Sequence, residues 1–271
     1  RLQPADRWII SRLQSCIREV TAALGKFDLG IAADKLVDFV WNDFCDWYIE
    51  LSKPALYGED AERKRGAIAV LMMVLENALR LLHPFIPYVT EEIYSYLPTS
   101  KGLIITADYP RYNSRLAYKK EAKAFEGVID LIKTVRAMKV EVNCPPSRKV
   151  HVYLATEARR LVAANRGAIE RLAGASDISF AENGPAAGEK IVSRVCELGQ
   201  IFIPLGELVD LEAEKVRLEK ELERVTAEIA RASGKLANQN FIAKAPKKLV
   251  EDERAKLEKL IDARAKVEER L

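Results

Sequence analysis

The chain has 271 residues, and 49% of them are apolar, which is enough for two or three compact units with hydrophobic cores. Its 43 Lys and Arg residues against 40 Asp and Glu residues leave a formal charge of +3, which excludes a uniformly basic surface and leaves only local clusters of charge. No apolar run approaches the roughly 20 residues of a membrane span, and no signal peptide is visible, so we predict a cytoplasmic protein with no membrane partner. Because the first residue is Arg1 rather than Met, we expect the chain to be part of a longer polypeptide.

The cysteines do not have the spacing of a metal site. They are Cys16, Cys45, Cys144 and Cys196. No two of them form a Cys-x-x-Cys pair, and only His83 and His151 could complete their coordination, so we predict no bound metal. Cys16, Cys45 and Cys196 lie in apolar segments, which favours buried, reduced thiols.

Residues 6 to about 97 have the apolar periodicity of amphipathic helices. The first stripe includes Trp8, Leu13 and Ile17. A proline disfavours the helical conformation of the residue before it, and Gly ends helices, so both mark helix ends. The predicted helix ends are Lys53-Pro54, Tyr57-Gly58 and His83-Pro84. Pro87 then opens a short helix, and four helices with short connections predict an antiparallel bundle.

After a loop over 98–116, a further helix leads into a region with a different period. The inner face of that helix consists of Phe125, Val128, Ile132 and Val135. Val150, Val152 and Leu154 then alternate with polar residues, as in a half-buried strand. A polar helix over about 157–173 follows. The remaining strand candidates are 178–180, 191–195 and 201–203, which together predict a small α+β module.

The last 65 residues have a heptad pattern. Leu218, Leu222 and Val225 are among the apolar a and d positions, and the pattern breaks at 238–240 and resumes after Pro246. Two such helices joined by a short loop predict an antiparallel coiled-coil hairpin of about 40 Å. The predicted fold class is therefore mainly α, with an antiparallel helical bundle, a small α+β module and a C-terminal antiparallel coiled-coil hairpin. The predicted domains are 1–125, 126–206 and 207–271.

The hairpin is neutral as a whole, but its tip is basic. Residues 207–271 contain 15 basic and 15 acidic residues, whereas 229–250 contain no Asp or Glu. The cations in that acid-free segment are Arg231, Lys235, Lys244, Lys247 and Lys248. Such a tip could meet RNA phosphates, and Phe241 could lie against an exposed base. The charge pattern alone leaves open that these cations are solvated and that Phe241 closes the end of the hairpin.

Other residues of the bundle are weaker candidates. Trp41, Phe44, Trp47 and Tyr48 could stack on bases, but their helical spacing favours the core. On the surface of the bundle, Arg7, Arg12 and Lys53 are candidate phosphate contacts, and Asn42 is a candidate base contact. We find no sequence pattern that indicates a catalytic residue, a nucleophile–base pair or a phosphate-binding glycine loop.

Three stretches resemble a known family. The segment FVWNDFCDWYIELSKP at 39–54 is similar to the anticodon-binding domain of bacterial-type valyl-tRNA synthetases, and NFIAKAPKKLVEDER at 240–254 resembles the turn of their C-terminal arm. LRLLHPFIPYVTEEIYSYLP at 79–98 resembles a helix pair shared with the isoleucyl, leucyl and methionyl enzymes. The resemblance covers 6–271.

The resemblance implies a role in tRNA recognition. The bundle would bind the anticodon stem-loop, the module would act as a spacer, and the arm would reach the outer corner of valine tRNA through Arg231 and Lys256. The whole enzyme would be monomeric and would join valine to its tRNA with ATP and Mg²⁺. The His-x-Gly-His and Lys-Met-Ser-Lys-Ser motifs of adenylation are absent. We therefore expect no catalytic centre and no cofactor in this chain, whose partners would include catalytic and editing domains of the same polypeptide.

Two alternatives remain open at this point. One is the same region of an isoleucyl- or leucyl-tRNA synthetase, although the arm favours the valyl enzyme. The other is a coiled-coil adaptor that binds a helical protein partner.

Overall fold

A computed structural model describes residues 2–182, 184, 190–208, 211–237 and 247–270, and within the last two helices it leaves out the side chains of 211–218, 247–249, 253 and 266–270. The fold is mainly α with one small four-stranded sheet, which confirms the predicted class. Phe241 and Lys244 lie outside the described residues, as do the side chains of Lys247 and Lys248.

The bundle consists of helices that run back and forth between two ends. They are α1 (Pro4–Leu24), α2 (Leu29–Val37), a π-helical segment (Asp38–Ile49), α3 (Glu50–Tyr57), α4 (Ala61–Leu82) and α5 (Pro87–Ser95). Pro4 occupies the first turn of α1, where its missing N–H costs nothing, and the Asp6 carboxylate accepts a hydrogen bond from the Gln3 N–H at 2.8 Å. The apolar stripe of α1, from Trp8 to Val20, is buried against the other helices.

The predicted helix end at Lys53-Pro54 is wrong. α2, the π-helical segment and α3 form one continuous helical run from Leu29 to Tyr57, and Pro54 lies inside α3. Gly58 and His83 follow the ends of α3 and α4, so the other two predicted ends are confirmed. A proline inside a helix leaves the carbonyl four residues earlier without its donor, and here the Glu50 carbonyl accepts a hydrogen bond from Arg171 instead.

The α+β module follows helix α6 (Lys119–Glu141). Its elements are β1 (Val150–Ala155), α7 (Arg159–Ala164), α8 (Arg166–Ala173), β2 (Ala175–Phe180), β3 (Ile191–Cys196) and β4 (Gly199–Pro204). The strand order is β2-β1-β4-β3, with β1 parallel to β2 and the other two pairs antiparallel. The alternating burial of β1 and the other three predicted strands are confirmed. The single helix predicted over 157–173 is two helices that meet at Asn165.

Helix α6 connects the bundle to the module. It packs against α1 on one side and against α8 and β3 on the other. Its predicted inner face, including Phe125 and Ile132, is buried, and one hydrophobic cluster extends from Trp8 through these residues to Val152. The domain boundary predicted at 125/126 falls inside this helix, and the division into three domains stays a prediction.

The C-terminal hairpin consists of α10 (Leu211–Ala237) and α11 (Lys247–Arg270), which pack along each other after the short helix α9 (Leu205–Leu208). Val225, Ala232 and Val250 are buried at the seam, as their heptad positions predict. The 27 residues of α10 correspond to a length of about 40 Å at 1.5 Å per residue. In the described part of the chain, no helix combines the length and hydropathy needed to cross a membrane.

Candidate nucleic-acid interface

The described cations near the hairpin tip point to solvent. Arg231 and Lys235 on α10 and Lys256 on α11 are all exposed, while Ala232 between the first two faces the seam. Among the residues with described side chains, neither Arg231 nor Lys256 has an ion-pair partner. A guanidinium and an ammonium held in this way on two packed helices can each reach a phosphate without breaking an internal contact.

The stem of the hairpin differs from its tip in charge. The described acidic residues of α10 all precede Ile229, and they are Glu219, Glu221, Glu223 and Glu228. On α11 the acid-free segment ends at Glu251 and Asp252, which are exposed. The segment without acidic residues is therefore short, which suits contact with a few phosphates rather than with a long duplex.

Arg7 and Arg12 on α1 are paired within the chain. The Arg12 Nε donates to the Asp43 carboxylate at 2.7 Å, and its second nitrogen lies 3.8 Å from Glu126. Arg7 lies 3.4 Å from the Glu121 carboxylate and over the Tyr118 ring. Both guanidinium groups therefore face α6, and the phosphate contacts proposed for them stay predictions.

Asn42 and Lys53 lie apart from one another in the continuous helical run. Asn42 is exposed on the π-helical segment, where its Nδ2 donates to Asp38 at 3.3 Å. Lys53 on α3 pairs with Glu50 at 2.5 Å, near the junction with the α+β module. The structure thus does not bring the four anticodon-side candidates into one patch, and their roles stay predictions.

The aromatic residues of the π-helical segment divide into buried and exposed ones. Phe44, Trp47 and Tyr48 are buried, as predicted, but Trp41 is 66% exposed. A π-helix bonds residues five apart and has more residues per turn than an α-helix, so positions seven apart, such as Trp41 and Tyr48, no longer share a face. The assumed α-helical spacing is the reason for the wrong prediction, and the structure adds an exposed indole directly beside Asn42.

The buried Cys16 and Tyr48 side chains of the bundle are held in their uncharged forms. Burial raises the pKa of the Cys16 thiol to about 12, so the thiolate is suppressed near neutral pH. Burial also raises the pKa of Tyr48, and the Asp6 carboxylate that accepts its hydroxyl at 2.7 Å raises it further. Cys45 is exposed and Cys196 is only partly buried, which corrects the prediction that both are buried.

One side-chain group on the sheet has the composition, but not the geometry, of a catalytic triad. The His151 Nε2 lies 2.8 Å from the Ser179 hydroxyl and 3.7 Å from the Asp177 carboxylate. A triad needs its carboxylate on the other ring nitrogen, and Asp177 is instead engaged by Arg166. This group can orient no nucleophile.

Comparison with known proteins gives matches for two parts of the chain. Residues 6–154 match the family described as the anticodon-binding domain of tRNA ligase, and residues 210–271 match the valyl tRNA synthetase tRNA binding arm. The chain is 45% identical over 269 residues to a valine–tRNA ligase of Clostridium acetobutylicum and 39% identical over 270 residues to that of Geobacillus stearothermophilus. Each alignment covers 98% of this chain but only 30% and 31% of the respective relative. The resemblance found in the sequence is confirmed, and the chain spans about a third of its relatives' length.

Proposed function

We propose that this chain, which belongs to the family of anticodon-binding domains of tRNA ligases, is the tRNA-recognition part of a valyl-tRNA synthetase. The helical bundle binds the anticodon stem-loop, and the coiled-coil arm contacts the outer corner of valine tRNA. The observation that carries the proposal is the exposed pair Arg231 and Lys256, on a rigid hairpin that matches the valyl arm.

The chain acts by positioning its tRNA. Two contacts at separate points of the tRNA fix its orientation, so the acceptor end is presented to catalytic and editing domains elsewhere in the same monomeric, cytoplasmic polypeptide. Converting loose association into a fixed geometry is a recognised source of rate enhancement. The binding energy of bundle and arm is therefore used for orientation.

The residues present do not fit ATP or Mg²⁺. The sequence contains neither adenylation motif, and among the described residues no three His, Cys, Asp or Glu side chains converge as they would around a metal ion. In the proposed whole enzyme, ATP and Mg²⁺ would activate valine for transfer to the tRNA, in a domain separate from this chain. No step of that reaction is assigned to the residues described above.

On the anticodon side, Trp41 and Asn42 are the pair of neighbouring exposed groups best suited to unpaired bases. An indole provides a stacking surface, and a carboxamide can donate to and accept from a base edge. Arg12 would have to leave Asp43 before it could bind a phosphate, whereas Trp41 needs no rearrangement.

The test of the proposal is the salt dependence of tRNA binding. Reversing two exposed cations of the arm, Arg231 at the tip and Lys256 just beyond it, in Arg231→Glu with Lys256→Glu (the tip variant) should weaken binding of valine tRNA and reduce the slope of log K against log salt concentration by about 2, or about 1 per contact. The matched control is Lys220→Glu, an exposed stem position on α10 that should leave the slope unchanged. Binding is measured by fluorescence anisotropy between 50 and 200 mM salt.

Three outcomes separate this proposal from its alternatives. An unchanged affinity and slope in the tip variant would move tRNA binding away from the arm. An equal loss in Lys220→Glu would indicate generic attraction. Indifference of the unsubstituted chain to tRNA, together with capture of a helical protein, would favour a coiled-coil adaptor.

A further inference from the structure

Pro54 leaves one carbonyl of the bundle without its usual donor. It lies inside α3, where its nitrogen carries no hydrogen and its ring crowds the carbonyl of Glu50, four residues earlier. The hydrogen bond that reaches this carbonyl is exposed, so water competes for the position and a protein donor there adds the net free energy of an ordinary hydrogen bond. Pro54 therefore leaves the Glu50 carbonyl open to a protein donor that competes with water.

That donor is Arg171. This residue lies in the last turn of α8, in the α+β module, and its guanidinium donates to the Glu50 backbone oxygen. The two residues are 121 positions apart in sequence, so the bond joins two separate parts of the fold. An arginine is suited to this task because its donors lie at the end of a long side chain and stay charged at every physiological pH.

The bond lies beside a cavity that Arg171 helps to line. A space of about 570 Å³ separates α8 from the ends of α1, α3 and α4. On the α8 side its lining consists of the small residues Gly167 and Ala168 together with Arg171, and on the bundle side it includes Pro54 and Ala55. Along this gap α8 and the bundle are therefore not held together by packed side chains. The hydrogen bond from Arg171 to the Glu50 carbonyl joins them instead.

The accompanying ion pair contributes little. The Arg171 guanidinium lies 3.8 Å from the Glu50 carboxylate, and both side chains are 36% exposed. Glu50 also pairs with Lys53, and ion pairs at this exposure are worth little because water screens them. The backbone carbonyl is the partner that distinguishes Arg171 from an ordinary surface cation.

We infer that Arg171 replaces the amide hydrogen that Pro54 lacks, and that this bond latches the α+β module to the helical bundle. The latch holds α8 at a fixed distance from α3 across the cavity, in addition to the packing of α6. It is a property of the fold and does not depend on the proposed binding of tRNA. Within that function, it would keep the base of the arm fixed relative to the bundle.

A double-mutant cycle on the full 271-residue chain tests the latch. Arg171→Met should lower Tm by about 3 °C, the size of effect expected for one lost hydrogen bond in a chain of this length. Pro54→Ala restores an N–H that can bond to Glu50 within α3. In that background Arg171→Met should therefore lower Tm by less than about 1 °C.

Two further variants separate the carbonyl from the ion pair and from generic surface charge. Glu50→Gln removes the carboxylate and keeps the carbonyl, so it should shift Tm by less than about 1 °C. Arg160→Met removes an exposed arginine from α7 of the same module, and it should also shift Tm by less than about 1 °C. An Arg171→Met cost that is equal with and without Pro54, or that Glu50→Gln reproduces, would overturn the inference.

The coupling between the two units can be measured directly. Cys45 is exposed in the bundle, and Ser176 is exposed on β2, so Ser176→Cys gives a pair of spin-label positions across the junction. We expect the distance distribution between the labels to broaden in Arg171→Met and to stay broad when Pro54→Ala is added, because the restored N–H bonds within α3 and does not join the two units. A distribution that is unchanged by Arg171→Met would mean that α6 alone fixes the junction, and that Arg171 is no latch.

Discussion

Among single residues, Arg12 is the one whose predicted role and observed contacts differ most. Its guanidinium is 40% exposed, whereas the Asp43 carboxylate that it binds is only 15% exposed. The carboxylate therefore depends on Arg12 for its charge compensation more than Arg12 depends on the carboxylate. Removing the arginine leaves a mostly buried carboxylate without a charged partner, and an unpaired buried charge strongly destabilises the folded state.

This asymmetry leads to a stability prediction. Arg12→Gln should lower the free energy of unfolding by about 1–2 kcal/mol because Asp43 loses its charged partner. Asp43→Asn in the same chain should restore most of that loss, since the amide carries no charge. Urea unfolding of the two single variants and the double variant measures the coupling. Additive losses would show that the pair is not coupled.

The same variant separates stability from RNA binding. If Arg12 leaves Asp43 to contact a phosphate, the folded Arg12→Gln variant should bind tRNA with a smaller salt slope than the unsubstituted chain. The sequence could identify Arg12 as a cation on the bundle surface. It could not identify Asp43 as its partner, because the two residues are 31 positions apart and are brought together only by packing.

At the scale of elements, Lys139 has an unusual position in the last turns of α6. It is 5% exposed, and its ammonium lies 2.6 Å from the Arg148 carbonyl and 3.4–3.5 Å from those of Pro146 and Gly174. Among the residues that the structure describes, no carboxylate pairs with it. One lysine thus satisfies backbone oxygens from the loop before β1 and from the turn between α8 and β2.

Lys139→Met should therefore destabilise the module. The substituted side chain fills a similar volume but leaves the Arg148 carbonyl without its donor, at a cost of about 2 kcal/mol. The control is Lys120→Met, at an exposed position on the same helix, which should change the free energy of unfolding by less than about 0.5 kcal/mol. Both are measured by urea unfolding, and equal stability of the two variants would contradict a structural role for the ammonium.

The elements themselves could largely be predicted from the period of their apolar residues. The strand β1, the inner face of α6 and the heptads of the hairpin each have one period and one buried face, and each is confirmed. The exceptions occur where local rules compete with tertiary contacts. Pro54 predicts a helix end, but Arg171 supplies the missing donor, and Trp41 is exposed because a π-helix replaces the α-helix that its spacing suggests.

For the whole molecule, the sequence indicates three kinds of unit but not how they are joined. Nothing in the pattern of α6 reveals that its two sides pack against different units, or that α8 faces the bundle across a cavity. These features arise from contacts between residues far apart in sequence, and the spacing of apolar residues within one segment does not predict them. They matter to function because the bundle and the base of the arm are connected through them.

The proposed two-point contact makes a prediction that only the whole chain can test. If bundle and arm bind one tRNA together, each contact raises the effective concentration of the other, so loss of either weakens binding. The tip variant Arg231→Glu with Lys256→Glu should bind valine tRNA about tenfold more weakly, or about 1.4 kcal/mol. Against a transcript whose outer corner is disrupted, the same variant should show no further loss, because its partner has already been removed.

A transcript with a changed anticodon loop gives the matched comparison. There the loss caused by the tip variant should be retained in full, because the corner is intact and the two sites contribute independently to the free energy of binding. Anisotropy titrations of both proteins with the three transcripts at one salt concentration measure all of these terms. If the tip variant is still tenfold weaker on the corner-disrupted transcript, its cations contact another part of the tRNA, and the assignment of the arm to the outer corner is wrong.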